Sequence, residues 1–191
     1  MSAEATSEVF IGGTSFSEDV PSLTDFAEEA GGAWPAGWYP ASIIEGYATS
    51  RGKQFVTEDT ASKKGDSRNL RVCFSLNGGA LGTRNTFESF NYRVDDLTTE
   101  RLAQIKELRE EFKGVKGAWP GQSDAQRSSL AIAGLGQFTK AIGSGLKRTP
   151  EGNIIPTPFV GKTADVRLNI DDKGYNTITA YAPAGTRTKA K

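Results

Sequence analysis

The sequence predicts a mainly β fold, in which a helical hairpin is inserted between the third and fourth strands. Residues 69–77 alternate between apolar side chains and polar or small ones, which is the period of a half-buried strand. Residues 99–113 and 124–142 instead carry apolar side chains at helical spacing. Residues 171–174 read Asp-Asp-Lys-Gly, a strong turn signal between two further strand patterns. These patterns place two helices between an early and a late set of strands.

The strands themselves are predicted from apolar clusters bounded by Gly, Pro and polar turns. They are expected at residues 41–50, 69–77, 86–94, 164–170 and 175–181. Trp34 to Pro40 is interpreted as an aromatic entrance to the sheet, and residues 51–67 as a loop with a short strand at 54–57. Five strands with a helix between the third and fourth is the order of an OB-fold, a partly open β-barrel. A small α+β sandwich gives the same order.

The alternation also predicts which side chains face the core. In the second and third strands the expected inward residues are Leu70, Val72, Phe74, Leu76, Phe90 and Tyr92. The outward residues then include Arg71, Phe87 and Arg93. The predicted apolar stripes of the two helices are Leu102, Ile105, Leu108 and Phe112, followed by Ala131, Leu135, Phe138 and Ile142.

Charge is sorted along the chain. Residues 1–50 hold eight acids and no Lys or Arg, so residues 51–191 carry all 23 basic residues against the remaining 15 acids, a net charge of +8. A basic body favours a polyanionic partner, because Lys and Arg that neutralise phosphates release condensed counterions. An ordinary solvated tail beside a mildly basic domain is the alternative reading.

These features predict an organisation in three parts. Residues 1–33 form an acidic, largely disordered leader, residues 34–183 an OB-like barrel with its helical insertion at 97–145, and residues 184–191 a basic tail. Histidine is absent and Cys73 is the only cysteine, which removes the common nucleophile–base systems, internal disulfides and most zinc sites. We therefore expect a protein that is not an enzyme and uses no cofactor or metal. A cytoplasmic setting is expected, because no membrane-spanning run or signal peptide is recognisable.

Residues 36–43, Ala-Gly-Trp-Tyr-Pro-Ala-Ser-Ile, resemble the opening motif of a bacteriophage and prophage family of unknown function. The closing segment of that family is similar to residues 159–162, Phe-Val-Gly-Lys, followed by a terminal hairpin that here ends Tyr-Ala-Pro at 181–183. Such proteins are similar to phage single-stranded-DNA-binding proteins of replication or recombination. The resemblance, which covers about residues 34–183, implies an OB-like barrel that handles DNA in the cytoplasm of an infected bacterium.

Binding of single-stranded DNA without sequence preference needs cations along the phosphates and aromatic faces on which bases stack. The candidate nucleic-acid-binding residues are Arg51, Lys53, Phe55, Arg71, Phe87, Arg93, Arg167, Lys173 and Tyr175. The acidic leader is expected to occupy the basic groove in the absence of DNA and to recruit replication or recombination proteins. The expected partners are thus single-stranded DNA, such proteins and a second copy of the chain, with no membrane.

Structural roles compete with this interpretation for several residues. The helical hairpin or the leader would cover Phe87, and Glu88 or Asp165 would pair with Arg71 and Arg93. Trp34, Trp38 and Tyr39 would form a plug at the entrance of the sheet.

Two other classes of function remain open from the sequence. A magnesium-dependent nuclease would need Glu45, Glu88, Asp165, Asp171 and Asp172 to converge, although no metal-ligand motif is visible. A protein-interaction or structural role, as a virion component or an inhibitor of a host system, would use the helical hairpin as its contact surface. Leu130 or Ile132 would then be exposed.

Overall fold

The computed structural model describes residues 32–62, 65 and 67–188. Eight strands are described: β1 (Gly37–Ile44), β2 (Gly46–Ala48), β3 (Gln54–Val56), β4 (Glu58–Ala61), β5 (Arg68–Asn77), β6 (Thr83–Tyr92), β7 (Thr163–Ile170) and β8 (Asn176–Pro183). Two α-helices, α1 (Thr99–Glu111) and α2 (Ser123–Ala141), lie between β6 and β7. The mainly β prediction is therefore confirmed. None of the described helices is long and apolar enough to cross a membrane.

Six strands form one strongly curled antiparallel sheet, a half-barrel. Its order is β4-β5-β1-β7-β8, and β6 pairs with the opposite edge of β5. β1 and β4 share one edge of β5, because β1 pairs with its residues 73–76 and β4 with its residues 68–71. β2 and β3 form a separate two-stranded hairpin. The edge of β5 thus changes partner at the point where the hairpin leaves the sheet.

The inward residues predicted for β5 and β6 are confirmed. Leu70, Val72, Phe74, Leu76, Phe90 and Tyr92 are all buried. They meet α2, which crosses the open side of the half-barrel and packs on both β6 and β8. Phe138 of α2 lies at the centre, with its ring 5.3 Å from Phe90 and 5.6 Å from Tyr181. The core therefore holds a helix where a closed barrel would pair its first and last strands.

Polar contacts join β6 to β8 at one end of this gap. Arg84 of β6 donates a hydrogen bond to Oδ1 of Asn176 at 3.0 Å and to the Gly32 carbonyl. Asn176 in turn exchanges hydrogen bonds with the main chain of Trp34. The Trp34 ring packs 5.1 Å from Tyr39 and against the core, as expected for a plug.

Four sequence predictions need correction. The Gly-Trp-Tyr-Pro segment lies inside β1 rather than before it, and the predicted strand at 41–50 is broken at Glu45 into β1 and β2. Residues 58–61, predicted as loop, form β4, so six strands rather than three precede the helices. In α1 only Ile105 of the predicted stripe is buried, and Leu102 is 38% exposed. β4 was missed because it is a short, polar edge strand that carries no apolar period.

Candidate nucleic-acid interface

The outer face of β5 and β6 is set by their antiparallel register. Cys73 lies opposite Phe87, and Arg71 lies opposite Ser89, so these four side chains share the face turned away from the core. The β2–β3 hairpin folds back over this face, where β3 and β5 come into contact. Cys73 is consequently fully buried although it faces outward.

Three aromatic rings stack in series across this surface, and we call Tyr47, Phe55 and Phe87 the stacked-ring cluster. The Tyr47 and Phe55 rings are 5.3 Å apart at an angle of 26°, and the Phe55 and Phe87 rings are 4.5 Å apart at 20°. Such offset stacks add about 0.5–1.5 kcal/mol to the burial of each pair. Phe87 remains 37% exposed, so one end of the stack faces solvent.

Two cations pack against the stacked-ring cluster. Nζ of Lys53 lies 4.8 Å from the centre of the Phe55 ring. Cζ of Arg71 lies 5.8 Å from the Phe55 ring and 5.7 Å from the Phe87 ring. Each cation–π contact of this kind is worth about 0.5–1 kcal/mol at an exposed site. The rings therefore hold positive charge beside an exposed aromatic face.

Arg71 also forms an ion pair. Its Nη1 donates to Oε1 of Glu58 at 2.9 Å, and both side chains are partly exposed. Glu58 lies directly across from Arg71 in the register of β4 and β5. The pair that the sequence offered for Arg71 was Glu88 or Asp165. Glu88 instead lies opposite buried Val72 and so turns toward the inner face, and Asp165 lies on β7.

The base of the β2–β3 hairpin is fixed by Thr57 and Gly46. The Thr57 hydroxyl donates to the Ile44 carbonyl at 2.6 Å and accepts from the Cys73 amide at 2.9 Å, so it bridges β1 and β5 where their pairing ends. At Gly46 a Cβ atom would lie 2.4 Å from the Phe55 carbonyl oxygen, closer than real Cβ atoms approach. Glycine at this position lets β2 and β3 meet and so places Tyr47 beside Phe55.

Burial keeps the ionisable groups under the hairpin neutral. Burial raises the pKa of the Cys73 thiol above its ordinary value, against smaller opposing effects of the Thr57 hydrogen bond and Arg71. Burial likewise raises the pKa of the Tyr47 phenol. Both groups are uncharged at neutral pH, so the cations are not compensated by a thiolate or a phenolate.

The structure brings together four of the nine predicted binding residues, namely Lys53, Phe55, Arg71 and Phe87. Arg51 is two residues from Lys53 in the turn of the β2–β3 hairpin and is exposed. Arg93 follows the other end of β6, six residues or about 20 Å of strand from Phe87. It lines a cleft with Arg127 and Ser128 of α2. Arg93 and Arg71 therefore do not form one groove.

The other three predicted residues lie on β7 and its turn. Arg167 is exposed on β7 directly opposite Trp38 of β1. Lys173 and Tyr175 lie in the β7–β8 turn, where Oδ1 of Asp171 accepts from both of their amides. Tyr175 is 68% exposed and precedes Asn176, which binds Arg84. The turn thus lies at the Arg84 end of the sheet.

Sequence reasoning missed Tyr47 and Glu58 in this site. Tyr47 falls within the strand predicted at residues 41–50, and Glu58 within the loop predicted at residues 51–67. The glycine at 46, between a charged residue and a tyrosine, was the available signal for the break in the strand.

Two carboxylates of the nuclease hypothesis hold the main chain in place. Asp165 is fully buried and accepts hydrogen bonds from residues 185, 187 and 188, and Asp171 closes the β7–β8 turn. Within the described part of the chain, no group of three or more His, Cys, Asp or Glu side chains is arranged to hold a metal ion.

Comparison with known proteins gives a weak likeness to a GTPase. The chain matches no protein-family profile. It is 25% identical over 135 residues to a small ribosomal subunit biogenesis GTPase, RsgA, of Ruminiclostridium cellulolyticum. The match covers 62% of this chain and 44% of that protein, so the chain spans less than half the length of the relative that it matches.

Proposed function

We propose that this protein binds single-stranded DNA without sequence preference, as a component of phage replication or recombination. The observation that carries the proposal is the stacked-ring cluster with Lys53 and Arg71 packed against it. Sequence-independent single-strand binders combine aromatic platforms with cations along the backbone. The phage setting rests on the resemblance of residues 36–43 and 159–162 to the phage family.

The geometry favours one mode of stacking. Phe55 and Phe87 are already 4.5 Å apart, which leaves no room for a base between them. A base would stack on the exposed part of Phe87, at the open end of the series. Arg71 and Lys53 would then contact the phosphates on either side of that base. Each base stacked in this way contributes about 1–3 kcal/mol.

An OB-like barrel is the fold that we propose for this surface. The curled antiparallel sheet supports it, and in OB-folds the ligand lies across the second and third strands and the adjoining loops. The β2–β3 hairpin, with Arg51 and Lys53 at its turn, is such an adjoining element. The six-stranded main sheet is larger than the five strands of a typical OB-fold.

Fluorescence anisotropy with a labelled oligo-dT of about 16 nucleotides, the upper site size of one OB-fold, tests the proposal. Phe87→Ala should weaken binding by about 1–3 kcal/mol with an unchanged salt slope, since it removes a stack and no charge. Arg71→Ala should lower the salt slope by about one phosphate contact, whereas Arg93→Ala should leave it unchanged because Arg93 lies outside this surface. Arg109→Ala on α1 is the control for lost charge. A wild-type protein that does not bind at low salt would refute the proposal.

A protein-interaction role is the second candidate, and the helical hairpin favours it. Leu130 is 70% exposed, Leu102 38% and Val115 46%, all in or beside the two helices. Ile132, in contrast, packs against the core. Exposed apolar side chains of this kind mark contact surfaces when they are contiguous. Absence of any mobility shift with labelled oligonucleotides would favour this candidate.

The likeness to a GTPase does not lead us to propose GTP hydrolysis. A P-loop reads Gly-x-x-x-x-Gly-Lys-Ser/Thr and opens a helix. Residues 161–163 of this chain read Gly-Lys-Thr, but Pro156 stands at the position of the first glycine and the triplet leads into β7.

A further inference from the structure

The chain turns back after β8 and is held against β7 by one buried carboxylate. Asp165 is fully buried and accepts four hydrogen bonds: from the amides of Gly185 at 3.1 Å, Arg187 at 2.7 Å and Thr188 at 3.0 Å, and from the Thr188 hydroxyl at 2.8 Å. Charge-assisted bonds of this kind are about twice as strong as neutral ones. Residues 185–188 therefore have a defined position on the sheet.

This arrangement places a cation over a tryptophan. Cζ of Arg187 lies 5.7 Å from the centre of the Trp38 ring, and Arg187 is itself exposed. Arg167, also exposed, lies opposite Trp38 on the neighbouring strand and therefore on the same face. Among the described residues no carboxylate forms an ion pair with either arginine, whereas Arg71 is paired with Glu58. Trp38 was predicted as part of a core plug, but it is only half-buried and faces outward.

Trp38 shares its face of the sheet with the stacked-ring cluster. Alternate residues of β1 from Trp38 to Ile44 point the same way, Ile44 lies opposite Cys73, and Cys73 lies opposite Phe87. Along β1, Trp38 lies six residues, or about 20 Å, from Ile44, the residue opposite Cys73. Single-strand binders cover about 4–16 nucleotides for each OB-fold, so one bound strand can reach both places.

We propose that Trp38, Arg167 and Arg187 form a second contact for single-stranded DNA, and that the C-terminal segment, fixed by Asp165, is part of the binding surface. A base stacks on the exposed part of the Trp38 indole, and the two guanidinium groups contact the adjoining phosphates. This inference rests on the proposed function and extends it from one stacking platform to two. Bound strands long enough to span the sheet use both platforms, and very short ones use only the stacked-ring cluster.

Binding of oligo-dT of two lengths, about 4 and about 16 nucleotides, to the full chain at low salt tests this inference. Arg187→Ala and Trp38→Ala should each weaken binding of the longer oligonucleotide at least about 5-fold, the loss expected for one stack or its cation, with little effect on the shorter one. Arg109→Ala on α1, which removes the same charge elsewhere, should leave both affinities unchanged. Asp165→Asn should reproduce the effect of Arg187→Ala if the variant remains folded.

Tryptophan fluorescence gives a second, independent readout. Oligo-dT should quench the wild-type emission, and Trp38→Phe should lose most of this quenching while Trp34 and Trp119 remain. Wild-type affinity of Arg187→Ala and Trp38→Ala for the longer oligonucleotide would overturn the second contact and leave the stacked-ring cluster intact. A wild-type protein that binds neither length would overturn the proposed function and this inference with it.

Discussion

Arg71 is held between two phenylalanine rings and one carboxylate, and that carboxylate limits the charge available to a phosphate. The rings keep the guanidinium in place on the outer face, with Cζ less than 6 Å from both of them. Because Arg71 is paired with Glu58, part of its positive charge is already compensated within the protein. Because both side chains of the pair are partly exposed, the pair is worth only about 0–1 kcal/mol.

Glu58→Gln should therefore tighten binding of single-stranded DNA. The amide preserves the shape and one hydrogen-bond acceptor but removes the competing charge, so we expect an increase in affinity of about 2- to 5-fold at low salt, which fades as salt rises. Anisotropy titrations at two salt concentrations measure this. Glu110→Gln on α1 is the matched control, since it also removes one charge from an exposed ion pair, with Lys113. Equal effects of the two substitutions would show that net charge alone is responsible.

Glu88 is an unfavourable charge inside the half-barrel. It lies opposite buried Val72 on β5, and burial raises the pKa of its carboxyl above the ordinary 4.5, while the Ser89 amide lowers it by a smaller amount. A raised pKa means that the folded state favours the protonated form. The contribution of this group to stability is fully present below the ordinary pKa and is lost as pH rises through the raised value.

Glu88→Gln should consequently stabilise the protein at pH 7.5 and give no gain at pH 3.5. Glutamine keeps the acceptor for the Ser89 amide and removes the cost of burying a charge. Urea unfolding at the two pH values measures the difference. Glu107→Gln, on the exposed face of α1, should change neither value. A stabilisation of equal size at both pH values would contradict the assignment.

Period-2 alternation allowed the faces of single residues to be predicted from the sequence. Arg71 was predicted outward because Leu70 and Val72 flank it, and Phe87 because it is out of phase with the inward Phe90 and Tyr92. The register confirms that Arg71 and Phe87 share a face. Partners could not be predicted in the same way, because Glu58 and Phe55 reach Arg71 through a change of direction at Gly46 and a turn at residues 49–53. Contacts across such turns depend on geometry that the alternation does not encode.

At the scale of elements, the β2–β3 hairpin depends on one hydroxyl group. Thr57 supplies an acceptor to the Cys73 amide and a donor to the Ile44 carbonyl at the point where β5 changes partner from β1 to β4. Ile44 and Cys73 face each other at the last pair of β1 and β5, and there the Thr57 hydroxyl links the amide of one to the carbonyl of the other. A buried group left without its partner costs about 1–3 kcal/mol.

Thr57→Val should destabilise the protein by about 1–3 kcal/mol, because valine matches threonine in shape but bonds neither backbone group. Urea denaturation measures the change. Thr60→Val on β4 is the control, since Thr60 is exposed and its hydroxyl donates only a long hydrogen bond, 3.5 Å, to the Asn69 carbonyl. A loss within about 0.5 kcal/mol, as for an ordinary surface substitution, would show that Thr57 does not pin the hairpin.

Long elements were predictable from the sequence and short ones were not. β5 and the two helices were predicted within two residues of their ends, because each carries a sustained apolar period. β4 was missed, since Glu58–Ala61 has no apolar period and forms only by pairing with β5. Burial of α1 was overestimated, because its stripe meets solvent at Leu102.

For the whole molecule, the separation of charge in the sequence is the largest electrostatic feature. Residues 1–31 lie outside the described residues and include seven of the eight acids that precede Arg51. Both proposed contacts on the outer face are cationic. A segment with net negative charge on the same chain competes with phosphates at high effective concentration.

Deletion of residues 1–30 should tighten oligonucleotide binding at low salt, with a difference that shrinks as salt screens both interactions. Anisotropy titration of the full and truncated chains at two salt concentrations measures this. A full-length variant in which the seven acids are replaced by Asn or Gln separates charge from length and should bind like the truncated chain. Unchanged or weaker affinity after truncation would contradict competition by the leader.

The way in which the open side of the half-barrel is filled is a property of the whole molecule that the sequence did not predict. β6 and β8 are joined through α2 and through the Arg84–Asn176 contact, which links residues 92 positions apart. Alternation along each strand identifies its buried face, but it does not encode the pairing order of the strands or the packing of β5, β6 and β8 around Phe138. The candidate site was therefore predictable as a face and not as a set of contacts.

Ultraviolet crosslinking of the full-length protein to oligo-dT, followed by identification of the modified peptides, shows which part of the protein touches the DNA. Stacking of a base on Phe87 predicts crosslinks within residues 46–56 and 83–92, which contain the stacked-ring cluster, and their loss in Phe87→Ala. Crosslinks confined to α1 and α2, or none under conditions in which the oligonucleotide is bound, would contradict it.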